Sequence, residues 1–148
     1  MSPVPWIGLF EAAAACLLAR EPDQKVALTR RAADAWNAGL LPLTRGGQVV
    51  PADEPGRPDR PELVRPRDLP KRSPRGVKGR AALSHAVAHI EFNAINLAWD
   101  AVQRYRGLPP AYYGDWVQVA AEEAYHFDLM RGRLGDLGYD YGDFPAHD

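Results

Sequence analysis

His85-Ala-Val-Ala-His89-Ile-Glu91-Phe-Asn-Ala-Ile-Asn-Leu-Ala-Trp-Asp100 is the stretch whose reading decides the fold. Leu83, Val87, Ala88, Glu91, Ile95, Ala98 and Val102 recur at three- and four-residue spacing, which predicts the inward stripe of an α-helix. His85, His89, Phe92, Asn96 and Trp99 form a neighbouring stripe. The pattern begins at Gly79, Gly107 supplies a cap, and Leu108-Pro109-Pro110 stops the helix. A second helix starts between Pro110 and Asp115. It carries Trp116, Val119, Ala120, Glu123, Phe127, Met130 and Leu134 inward as far as a cap at Gly138. So short a link makes the two helices antiparallel neighbours, a hairpin of about 25 residues a side.

Two carboxylates interrupt the apolar stripes. Glu91 lies between Ala88 and Ile95, and Glu123 lies on the stripe Val119-Glu123-His126-Met130. An unpaired carboxylate in such a place costs several kcal/mol. Glu123 and His126 are three residues apart, so at ~3.6 residues per turn both side chains aim the same way. Folding about Pro109-Pro110 sets Glu91 and Glu123 near mid-length of the hairpin. Glu91, Glu123 and His126 are therefore the candidate metal ligands, and two carboxylates with one imidazole suit iron or manganese. A buried ion pair or a satisfied core histidine is the competing structural reading. Glu122 lies about 100° round the helix, in a supporting or surface position. His89 points away from Glu91 and is expected behind the ligands or on the outer face. His85 and His89 could alone hold zinc, the weaker idea for want of further ligands in register. Tyr125 is expected to pack.

The remaining chain is of two kinds. Pro5 to Ala38 reads as two short helices, the first through Trp6, Leu9, Phe10, Ala13 and Leu17 and ending by Glu21. The second runs through Val26, Leu28, Ala32, Ala33 and Trp36 to a cap at Gly39. Pro42 to Arg80 holds eight of the 14 prolines, a spacing that forbids helix and predicts an extended strap. Three units follow: an N-terminal helical pair over 1–41, a strap over 42–78 and the hairpin over 79–148. Between Gly56 and Arg80 nine basic residues face three acids, whereas from Ala111 to Asp148 eight acids face two arginines. The strap lacks Phe, Tyr, Trp and His for base stacking. It is therefore read as lying across the more acidic bundle, and nucleic acid is disfavoured as a partner. The formal net charge of -1 argues neither for nor against a charged partner. One cysteine, Cys16, excludes an intramolecular disulfide and reads as a small buried apolar residue. The N-terminus lacks the positive region of a signal peptide, and no apolar run approaches the ~20 residues that span a bilayer. Cytoplasmic location without membrane association is expected.

The block from His85 to Asp100, then Leu108-Pro109, Glu122-Glu123-Ala-Tyr-His126-Phe127 and Leu137-Gly-Tyr-Asp-Tyr-Gly-Asp-Phe-Pro-Ala-His147, resembles a bacterial ferritin-like family, domain of unknown function 455. The resemblance extends back through Arg60-Pro-Glu-Leu-Val and the N-terminal helices. It implies an all-α, ferritin-like four-helix bundle in which a Glu and a Glu-x-x-His from one helix pair are matched by the same set from a second pair. Glu91 corresponds to the lone Glu, and Glu123 and His126 to the Glu-x-x-His. Only one such set occurs up to Asp148, so the expectation is half of a di-metal site, completed by further residues or by a homodimer. The function implied is a di-iron (or di-manganese) oxidoreductase of oxygenase type acting on an unidentified small molecule. The alternatives are a non-catalytic helical interaction module and an RNA-associated protein of the tRNA-modifying type.

Overall fold

The computed structural model describes residues 4–44, 49–51 and 53–148. The chain is all-α apart from one minimal strand pair. The elements are α1 (Leu9–Leu18), α2 (Pro22–Asn37), β1 (Leu63–Val64), a 3-10 turn (Pro66–Asp68), α3 (Gly76–Arg104), α4 (Pro110–Asp136) and β2 (Ala146–His147).

The hairpin forms as its periodicity predicts. α3 and α4 have 29 and 27 residues, and Gly107 takes a positive φ of 78° in the short link between them. α4 begins on Pro110, whose missing N–H is one that no first turn could use. Gly138 (φ 87°) and Gly39 (φ 74°) lie just past α4 and α2, where a left-handed residue ends a helix cheaply. α1 starts at Leu9 and stops at Leu18, so Trp6 precedes it and Glu21 lies beyond it.

α1 packs on α3 and α2 on α4, so the N-terminal pair covers one face of the hairpin. The core between them holds Phe10, Leu17, Ala32, Phe92, Ile95, Trp99, Tyr113, Val117 and Phe127. Phe10 meets Tyr113 edge-on at 5.5 Å, and the Trp99 indole N–H donates to Thr29 Oγ1 at 2.9 Å. Lys25 is fully buried, and its Nζ donates to Cys16 O, Leu17 O and Asn96 Oδ1 at 2.8, 2.9 and 2.6 Å. Burial pushes this amine down to about 7, while three acceptors match the three protons of an ammonium. Cys16 is buried, which raises its thiol to about 12.

The strap is extended but anchored. The Gln103 amide accepts from Val50 N–H at 2.9 Å and donates to Val50 O at 2.8 Å, as a neighbouring strand would. Gly56 N–H donates to Leu17 O at 2.7 Å. A Cβ on Gly56 would lie 2.3 Å from Leu18 O. β1 pairs in parallel with β2, Leu63 opposite Ala146 and Val64 opposite His147. The chain after α4 is thus folded back against the chain before α3.

Two expectations fail here. Leu83 is 57 % exposed rather than inward. The stripe of His85, His89, Phe92, Asn96 and Trp99 is buried along its whole length, because the chain after α4 covers His85 and His89 while Lys25 and Thr29 of α2 meet Asn96 and Trp99. The second is a boundary: α3 starts at Gly76 rather than Gly79, so the strap ends at residue 75 rather than 78. The strap lies against the bundle, while the acidic half takes its ion pairs from arginines of the helices. Asp128 pairs with Arg30 at 2.5 Å, and Asp140 and Asp23 both pair with Arg131.

Candidate metal centre

Glu91 on α3 and Glu123 and His126 on α4 converge. One ligand atom from each lies within 4.8 Å of the other two. His126 Nδ1 is 3.8 Å from Glu123 Oε2 and 3.9 Å from Glu91 Oε2. Those gaps are too long for hydrogen bonds. They match donors sharing one ion: at about 2.1 Å per bond, two ligands stand ~3 Å apart at a right angle and ~4.2 Å apart when opposed. Among the described residues no Lys or Arg pairs with either carboxylate. The two acids are mostly shielded, with side chains 19 % and 22 % exposed, whereas the imidazole is 49 % exposed. Two largely shielded carboxylates with an imidazole beside them offer the oxygen and nitrogen donors that a divalent cation takes.

The cluster sits on the hairpin face turned away from α1 and α2. Beside Glu91, α3 carries Leu83, Ile90 and Leu97, exposed by 57, 53 and 68 %. Beside His126, α4 carries the half-buried Val119 and Met130. The site therefore opens onto an apolar surface rather than into the existing core.

The other candidates lie elsewhere. Glu122 is exposed and accepts from Gln118 Nε2 at 3.0 Å. Tyr125 does not pack as expected: it is 57 % exposed, because its position on α4 falls outside the buried face. Glu122 and Tyr125 border a shallow cleft between α2 and α4 that also takes in Trp36 and Gly114.

His85 and His89 are neither a zinc pair nor on an outer face. Both are buried under the chain that follows α4. His85 Nε2 accepts the Gly142 N–H at 2.9 Å, and its ring stacks on Tyr141 at 5.2 Å. His89 Nε2 lies 2.8 Å from the His147 carbonyl and Nδ1 lies 2.8 Å from the Tyr141 hydroxyl. A carbonyl only accepts, so Nε2 carries the proton and Nδ1 accepts from Tyr141. Both rings are neutral. Burial, with His89 alongside, holds His85 down at about 4, and burial also lowers His89 and raises Tyr141. Sequence reasoning missed this clasp. Its one legible signal was that His85 and His89 share the stripe of Phe92 and Trp99.

The sequence pattern of the family described as a protein of unknown function (DUF455) matches residues 18–148. The chain belongs to DUF455. This DUF455 chain is 47 % identical over 116 residues to an uncharacterised protein of Haemophilus influenzae, a match covering 73 % of this chain and 40 % of that protein. The chain thus spans less than half the length of that curated relative. No solved structure matches it. No helix among the described residues is long and apolar enough to cross a membrane.

Proposed function

We propose that this chain is a ferritin-like metal protein whose Glu91, Glu123 and His126 form one half of a di-iron (or di-manganese) carboxylate centre. The observation that carries the reading is the convergence of these three side chains, from two helices, on one ion-sized space, with no lysine or arginine paired to the carboxylates among the described residues. The bound metals would supply oxidoreductase chemistry of oxygenase type toward a small molecule. The chain's own part is to hold two carboxylates and one imidazole in fixed directions on rigid helices. It also supplies an apolar surround in Ile90, Val119 and Met130 that keeps water from the acids once the face is covered. Three donors per chain leave coordination positions for a second set, which a second copy of the chain provides.

The test is metal content. Protein loaded anaerobically with ferrous iron should retain it through desalting. Glu123→Ala with His126→Ala should lose at least ten-fold in affinity while the helical circular dichroism persists. Unchanged iron in that double variant would remove these residues from the centre. A second reading, a non-catalytic helical interaction module, draws on the exposed Leu83, Ile90 and Leu97. It predicts that the wild type retains no metal at all.

A further inference from the structure

The basic strap turns out to be unspent charge. Residues 65–80 contain Arg65, Arg67, Lys71, Arg72, Arg75, Lys78 and Arg80 against one acid, Asp68, which Arg65 already engages at 3.0 Å. All seven cations are exposed. Arg72 rests its guanidinium over the Phe144 ring at 5.1 Å. The side chains of Arg67, Lys71, Arg75, Lys78 and Arg80 make no ion pair or hydrogen bond among the described residues. No acid occurs between Asp68 and Glu91. Asp59, Asp23, Asp128 and Asp140 pair with Arg20, Arg131 and Arg30 rather than with these cations. Pro70 and Pro74 keep the chain between the 3-10 turn and α3 out of a helix, so Lys71, Arg72 and Arg75 are spread along it, while Lys78 and Arg80 follow on the first turns of α3. From Arg67 to Arg75 the chain reaches up to about 25 Å at ~3.1 Å per residue. That equals roughly seven steps of a duplex at ~3.4 Å each.

We propose that the segment from Arg67 to Arg80 is a docking surface for a nucleic-acid duplex, made through its phosphate backbone. Arginines dominate, and their planar forks match phosphate oxygens. The strap's lack of aromatic side chains, which argues against base stacking, is no obstacle to backbone contact, which needs none. Binding is therefore indifferent to sequence and steeply dependent on salt. The surface is separate from the metal cluster, and the proposal stands or falls without it.

Fluorescence anisotropy with a labelled 20-base-pair DNA duplex tests this on the full chain. Four to six phosphate contacts predict an affinity loss of about 10²- to 10³-fold between 50 and 200 mM salt, with a log–log slope near -0.9 per contact. Arg67→Ala/Lys71→Ala/Arg75→Ala/Lys78→Ala removes four solvent-facing side chains, so its circular dichroism should match wild type. Its salt slope should be shallower by about 3 to 4. Arg20→Ala/Arg133→Ala, on other surfaces, should leave the slope unchanged. No duplex binding at 50 mM salt, or an unaltered slope in the quadruple variant, overturns the proposal. So does wild-type protein that sediments with phosphatidylserine vesicles but ignores the duplex.

Discussion

Glu91, Glu123 and His126 illustrate how much a single side chain's surroundings decide. The same glutamates on a wet face would be ordinary surface charge. Here they are four-fifths shielded with only an imidazole for company. Removing the charge relieves repulsion in the metal-free protein, so Glu91→Gln should raise the metal-free melting temperature slightly while weakening iron retention. Calorimetry with and without iron reads both. His85 makes the second residue-scale prediction. Its folded pKa, about 4, lies below the ordinary histidine value near 6.5. Its contribution is therefore fully present above pH 6.5 and is lost as the pH falls from there toward 4, by at most about 3 kcal/mol. Urea midpoints taken at pH 7 and pH 5 should differ more in wild type than in His85→Asn, which cannot titrate. The convergence of Glu91, Glu123 and His126 was legible because spacing on a helix fixes direction. The clasp was not, because the residues from Tyr139 to His147 have no period from which to infer what they touch.

At the level of elements, the two long helices could be read almost to their ends. Their periodicity is sustained over many turns, and proline and glycine mark their limits. Which side of α3 faces inward was harder. α3 is apolar round much of its circumference, and the docking of the N-terminal helices and of the chain after α4 decides which positions are covered. Leu83 was assigned inward on periodicity alone and lies outside. The strap's course was beyond reading for a related reason: its anchors are single contacts rather than patterns. Gly56 is the sharpest of them. Gly56→Ala places a methyl against the carbonyls of Leu18 and Ala19 and should destabilise the fold by about 2 kcal/mol, lowering the thermal midpoint by several degrees. Little change would mean that the strap can shift without loss.

For the whole molecule, the open face has a self-matching layout. Leu83, Ile90 and Leu97 are evenly spaced at seven residues, so two copies of α3 crossing antiparallel about Ile90 would set Leu83 of each against Leu97 of the other. On α4, Asp115 and Arg133 stand nine residues either side of Ala124, and the same crossing pairs opposite charges. The metal-loaded protein should therefore sediment as a dimer carrying two metals per chain pair. Ile90→Glu should yield monomers that lose iron. A monomer retaining its full metal complement would show that the face has another use.

The pairing of β1 with β2 has a mechanical consequence. It joins the chain entering α3 to the chain leaving α4, at the end of the hairpin opposite the Gly107 link. With both ends tied, neither helix can slip past the other by a turn, a move of about 5.4 Å that would carry Glu91 out of reach of His126. On the proposed metal reading, the donors would be in alignment before any ion arrives, and capture would spend little of its free energy on ordering the protein.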